Sequence, residues 1–160
     1  MVARGDARLD FGSTRIQADQ ITYYQAFSIA DAIGNIAVTH EGNRLIAENL
    51  SFDSSESIFS VQSLRTGQWP FYISGDRAGG TVNQSSIENA TLYYGNPSPL
   101  GLSVSTQELR YEDEGPNEFV YVDSAVFRVG RVPLFYLPGY RHSLTEAPYL
   151  LEVDGGSDNR

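Results

Sequence analysis

Arg15-Ile16-Gln17-Ala18-Asp19-Gln20-Ile21-Thr22-Tyr23-Tyr24 decides the fold, because the chain writes it twice. The second copy, Arg44-Leu45-Ile46-Ala47-Glu48-Asn49-Leu50-Ser51-Phe52-Asp53, follows 29 residues later. Matched apolar positions are Ile16 and Leu45, Ala18 and Ala47, Ile21 and Leu50, Tyr23 and Phe52. Ile16 and Ala18 share one parity, Ile21 and Tyr23 the other. A β-strand alternates strictly, so one uninterrupted face cannot take both pairs. The chain must therefore reset its facing near Asp19-Gln20, and again at Glu48-Asn49, by a bulge or a corner. This predicts a curled stack of short strands that keeps its apolar residues inward. A weaker third copy runs Leu102, Val104, Leu109, Tyr111, and periods in this range suit stacked strand units.

The flanking sequence reads the same way. Short alternating runs end at Gly, Asn, Asp or Pro, at the spacing of an all-β sandwich, barrel or jelly roll. Predicted strands besides those of the repeat include 35–39, 57–64, 71–74, 86–94, 119–122, 125–129 and 134–137. Glu41-Gly42-Asn43, Gly79-Gly80, Gly95-Asn96-Pro97 and Gly115-Pro116-Asn117 are predicted turns. With 160 residues the chain fits one domain. Ten Tyr, eight Phe and 15 Gly against one Met favour strands and turns over helices.

A net charge of −9 argues against a nucleic-acid backbone or an anionic membrane surface as partner, while leaving an apolar ligand open. Without cysteines there are no disulfides or thiolate metal sites. The two histidines, His40 and His142, stand far apart, which speaks against zinc. No apolar run approaches a membrane helix, and the start carries no signal core; the expectation is a domain excised from a longer chain. Arg4-Gly5-Asp6 reads as a chance tripeptide. Gly75-Asp76-Arg77-Ala78-Gly79-Gly80 lacks the Lys-Ser/Thr of a phosphate loop and reads as a turn. Acids such as Glu112-Asp113-Glu114 cluster at turns, as solvated residues do.

The pieces Ile16-Gln17-Ala18-Asp19, Ile21-Thr22-Tyr23-Tyr24, Gly34-Asn35-Ile36-Ala37-Val38-Thr39 and Leu45-Ile46-Ala47-Glu48 stand in the order and spacing of the OstA-type repeat. Over roughly residues 15–142 the chain resembles the OstA-like domains of lipopolysaccharide transport. Val129-Gly130-Arg131-Val132-Pro133-Leu134-Phe135-Tyr136-Leu137-Pro138 looks like the segment that joins the periplasmic domain of the LptD family to its outer-membrane barrel. Gly139 departs from that pattern, where an aromatic is expected.

The resemblance implies a twisted β-jellyroll of antiparallel strands with an apolar interior groove for lipopolysaccharide acyl chains. Groove candidates are Ile16, Ala18, Ile21, Tyr23, Ile36, Val38, Leu45, Ala47, Leu50, Phe52, Phe59, Val61, Leu102, Val104, Leu109 and Tyr111. On pattern alone such residues pack a closed core, the commoner arrangement; the resemblance turns the set into a lining. Barrel-junction candidates are Pro133, Phe135, Tyr136, Leu137 and Pro138, read either as a stiff connector or as a proline-bounded edge strand. The implied organisation is a flexible segment 1–14, a jellyroll 15–142 with the connecting segment at about 126–142, and a tail or linker 143–160 toward a barrel.

Implied partners are lipopolysaccharide, a periplasmic bridge protein of similar fold joined edge to edge, and the barrel with its plug lipoprotein. The implied place is the periplasm, as part of an outer-membrane protein. No cofactor, metal or catalytic residue is expected. Two rivals stand beside this reading. One is a structural β-solenoid with a filled core, and the other is a carbohydrate-active enzyme with two converging carboxylates.

Overall fold

The computed structural model describes residues 1–40, 42–81, 83–98 and 100–143. Twelve strands form a single antiparallel sheet that does not close: β1 (Val2–Phe11), β2 (Thr14–Tyr24), β3 (Ile29–His40), β4 (Asn43–Asp53), β5 (Ile58–Gln68), β6 (Phe71–Gly80), β7 (Gln84–Tyr94), β8 (Leu102–Asp113), β9 (Glu118–Asp123), β10 (Ala125–Val129), β11 (Val132–Leu137) and β12 (Tyr140–Ser143). Each strand from β1 to β8 pairs with the next in sequence. Then the order forks: the first half of β8 pairs with β10 and its second half with β9. In turn β10 takes β11, and β9 takes β12. The forked strands are thus two long strands, 118–129 and 132–143, each interrupted midway.

The interruption recurs across the sheet. Positive φ falls at Asp6, Asn35, Ser63, Asn89 and Ser124, in β1, β3, β5, β7 and between β9 and β10. Register shifts accompany it between Arg4 and Ala7, Gln17 and Gln20, and Ile33 and Ile36. The expected reset at Asp19-Gln20 is therefore a bulge. It bends β2 without ending it, so the runs predicted as separate strands on either side of Asp19, Glu48 and Gln107 merge into β2, β4 and β8.

The residue after each positive φ is buried: Ala7, Ile36, Leu64, Ala90 and Ala125. Ala7 pairs with Ala18, Ile36 with Ala47, Leu64 with Gly75, and Ala90 with Thr106. This row of mostly small residues is the spine along which the sheet folds into a twisted jellyroll with two wings.

Acidic residues opposite the bend hold it on the outside. Asn35 Nδ2 donates to Asp19 Oδ2 at 3.0 Å, Ser63 Oγ to Glu48 Oε2 at 3.0 Å, and Asn89 Nδ2 to Asp76 Oδ2 at 2.8 Å. Asn tolerates the left-handed region better than most residues because its short amide bonds locally. Gly34, just before Asn35, has φ +76°, and a Cβ there would overlap the Asp19 carboxylate. In β8 the spine position is Thr106, the one buried polar residue among those described. Its hydroxyl serves the Glu108 and Asp123 carbonyls, where β8 changes partner.

Two expectations are corrected. The leading segment 1–14, expected to be flexible, contains β1, paired along β2. The glycine-rich stretch 75–80, expected as a turn, lies inside β6, where Ala78 sits between Val61 and Ile87. Its glycines mark close approach instead: a Cβ at Gly80 would overlap Gln84 of β7. The tail expected over 143–160 falls, except for Ser143, outside the described residues.

Candidate functional site: an apolar trough inside the folded sheet

Alternation and register place four rows of residues on the inner face. On one wing, partner by partner, runs Leu9, Ile16, Val38, Leu45, Thr66, Ile73, Leu92, Val104, Phe127, Phe135. The spine follows. On the other wing run Ile21, Ala32, Leu50, Val61, Ala78, Ile87, Leu109, Val122. Beyond them lie Tyr23, Ala30, Phe52, Phe59, Gly80, Ser85, Tyr111, Val120, His142. These rows hold no carboxylate, but past Tyr111 and Val120 the same face ends on the paired Asp113 and Glu118. All sixteen groove candidates lie on this face; Leu102 extends the first wing beyond Val104.

The sequence reading missed Leu9, Ile73, Ala78, Ile87, Leu92 and Phe127. Their signal was available, since the same parity reset applied at Asp76 and Asn89 assigns the four central ones inward.

Burial within the rows is inverted with respect to size. Eight of the twelve buried apolar residues are alanine, and only Ile36 and Val61 are large and essentially sealed. The bulky members, from Tyr23, Leu45 and Phe52 to Val104, Leu109 and Phe127, are half-buried. In a filled core the largest apolar side chains are among the most buried. Here the spine and its neighbours Ile21, Ala32, Val61 and Ala78 are closed, while the rest of the wings is lined by large side chains with access to solvent. The contiguous core cluster spans Ala7 to Ala78, within β1–β6. Toward β7–β11 the inner face opens, with Tyr94 58 %, Leu102 44 % and Phe135 51 % exposed.

The junction candidates sit at that open end. β11 pairs with β10, so Pro133 occupies an edge strand, the position in a sheet that tolerates proline. Phe135 stacks on Phe127 at 4.1 Å, and the Tyr136 hydroxyl donates to Ser124 Oγ at 3.2 Å. Leu137 pairs with Ala125, and Pro138 precedes β12. Val132, Leu134, Phe135 and Tyr136 are all more than half exposed, so β11 presents apolar side chains on both faces.

Charge is sorted between the wings on the outside. The wing of Leu9 carries Arg8, Arg15, Arg44, Arg65 and Arg128 against Asp10 among the described residues. The other wing carries Asp31, Asp53, Glu88, Glu108, Glu112 and Asp123 against Arg4, Arg77, Arg110 and Arg141. Arg8 and Arg15 converge on Asp10 at 2.8 and 2.9 Å and hold its carboxyl below the ordinary value. Arg141 lies 3.6 Å from the Phe119 ring centre. At the trough rim, desolvation raises the Tyr111 phenol, with Glu118 and Asp113 adding to it, so Tyr111 stays a neutral amphipathic group.

An open, bent antiparallel jellyroll with an apolar inner face is the OstA-like architecture. Among solved structures, this chain is similar to LptH, the LptA-homologous periplasmic component of the lipopolysaccharide transport device of Pseudomonas aeruginosa. The TM-score is 0.50 at 13% identity, covering 84% of this chain and 95% of that one. No family model and no curated protein matches the sequence. The likeness establishes the fold.

Proposed function

We propose that this chain is a non-enzymatic, lipid-conducting jellyroll of the lipopolysaccharide transport pathway, specifically the periplasmic domain of an LptD-type outer-membrane protein. The observation that carries it is the inverted burial: mostly alanines sealed on and beside the spine, large apolar side chains half-open farther out on the wings. Each buried methylene contributes about 0.8 kcal/mol, so acyl chains crossing the aqueous periplasm need such a lining. The sugars of the same lipid remain in water outside. LptH, which shares the fold, is a periplasmic component of that transport device.

Sheet edges at β1 and at β11 and β12 supply strand-addition sites for a bridge protein of like fold. β11, apolar on both faces, is the element that leads toward the barrel and its plug lipoprotein. The inner rows hold no carboxylate along their length, and the one facing pair, Asp113 and Glu118, sits where β8 and β9 end, which weighs against the glycosidase reading; the half-open wings weigh against a filled solenoid.

Photocrosslinking to lipopolysaccharide tests the proposal. Photoreactive residues belong at Leu45, Phe52 and Val104, with outward Ile46 as control. Ile36, sealed on the spine, is a poor position. Adducts at the three inward sites and none at Ile46 are expected. A folded domain giving no inward adducts overturns the conduit.

A further inference from the structure

The outer face of the arginine-bearing wing holds a concavity of about 700 Å³. It lies on the side of the sheet opposite the trough. Its construction follows from the register. Gly67 pairs with Tyr72, which pairs with Tyr93, and Arg65 pairs with Ser74, which pairs with Thr91. Gly67, Ser74 and Thr91 make a low floor. Arg44 and Arg65 rise at one end, the two tyrosines stand beside them, and Asp76 and Asn89 close the other end. Arg44 is a diagonal neighbour of Arg65 across β4 and β5, a separation of about 7–8 Å or a little less.

Most arginines of this molecule are engaged. Arg8, Arg15, Arg77, Arg110 and Arg141 pair with carboxylates, Arg4 with Gln20, and Arg128 with Ser105. In a chain of net charge −9, Arg44, Arg65 and Arg131 have no side-chain partner among the described residues, and the first two face one cavity. Two free guanidiniums form a forked anion site that favours phosphate. The remaining lining mixes hydroxyls, an amide and a carboxylate with two aromatic rings and the aliphatic Ile46, Leu64, Ile73 and Pro97, groups that take sugar hydroxyls and the apolar face of a sugar ring.

We infer that this outer concavity binds a phosphorylated saccharide, its phosphate on Arg44 and Arg65 and its hydroxyls toward Asp76 and Asn89. The site is independent of the trough and does not rest on the lipid-conducting reading.

Isothermal titration with glucose 6-phosphate, inorganic phosphate and glucose tests it. Glucose 6-phosphate is expected to bind more tightly than either fragment. The R44Q/R65Q variant, both positions being exposed, is expected to fold normally and to weaken binding roughly tenfold or more. Ser74→Leu, which raises the floor and leaves the charges in place, is expected to do the same. Absence of binding, or binding unchanged in both variants, overturns the site. Phosphate binding as tightly as glucose 6-phosphate overturns the saccharide assignment. Photoadducts in the trough are expected to survive R44Q/R65Q, so the two proposals fail separately.

Discussion

Asn89 donates its side-chain amide to the Asp76 carboxylate at 2.8 Å across the bend of the sheet, as Asn35 does to Asp19 two repeats of the sheet earlier. Each asparagine has positive φ, so it supplies both the left-handed corner and the bond that fastens it. Asn35→Ala loses the bond and puts a Cβ without local compensation into the left-handed region, at about 1–2 kcal/mol. Asn35→Gly loses the bond but accepts the backbone, and is expected to cost less. Urea unfolding of the two variants checks the order; equal losses would assign the whole effect to the bond.

Ile36 is fully sealed on the spine, whereas Ile46, ten residues on, is 44 % exposed on the outer face. Ile36→Ala is expected to destabilise by about 2–5 kcal/mol. Ile46→Ala should stay within about 0.5 kcal/mol. Denaturation midpoints measure the contrast directly, and a small loss at Ile36 would mean that the spine is not the packed centre of the fold.

The bend was legible because a parity conflict is a local property: Ile16 and Ala18 against Ile21 and Tyr23 admits no straight strand. The inward residues followed wherever that conflict was spelled out with bulky side chains, as at Leu45 and Leu50. It failed in β6, where Gly75 and Gly80 avoid overlap with the neighbouring strand. Close approach and turning both call for glycine, and only pairing distinguishes them. β1 was missed for a related reason. Gly5 and Asp6 break its alternation at the bend, and the partner that holds it, β2, cannot be inferred from its own residues. The cavity of Arg44 and Arg65 joins positions from four strands, and no motif in the sequence joins them.

Acid sensitivity follows from two exposed carboxylates. Asp10 is held below its ordinary value of 3.8 by hydrogen bonds from Arg8 and Arg15. Asp53 is lowered by the Ser55 hydroxyl and backbone N–H, joined by the N–H of Glu56. A folded-state value below the unfolded one means the stabilisation is complete above about pH 4 and is lost as pH falls through the lowered values. Thermal melting between pH 7 and pH 2 should show stability declining at the acid end, with a shallower decline in a D10N/D53N variant. An unchanged acid slope would assign the decline to other carboxylates.

Leu45 separates an open trough from a filled core. It faces inward and pairs with Val38 and Thr66, yet it is only half-buried. In a filled core an aspartate there would be desolvated and strongly destabilising. In an open trough the carboxylate reaches water, so Leu45→Asp is expected to fold with a modest loss of stability while making the lining hostile to hydrocarbon. Val104→Asp, on the same row toward the open end, should behave alike, and Ile46→Asp on the outer face should do nothing. The readout is fluorescence of N-phenyl-1-naphthylamine, which brightens in apolar surroundings, with lipopolysaccharide as competitor. Brightening by the native chain, its loss in Leu45→Asp and Val104→Asp, and its retention in Ile46→Asp are the expected pattern. Leu45→Asp that fails to fold, with no brightening by the native chain, would mean that the wings close on each other and that the half-exposed side chains are a loosely packed core.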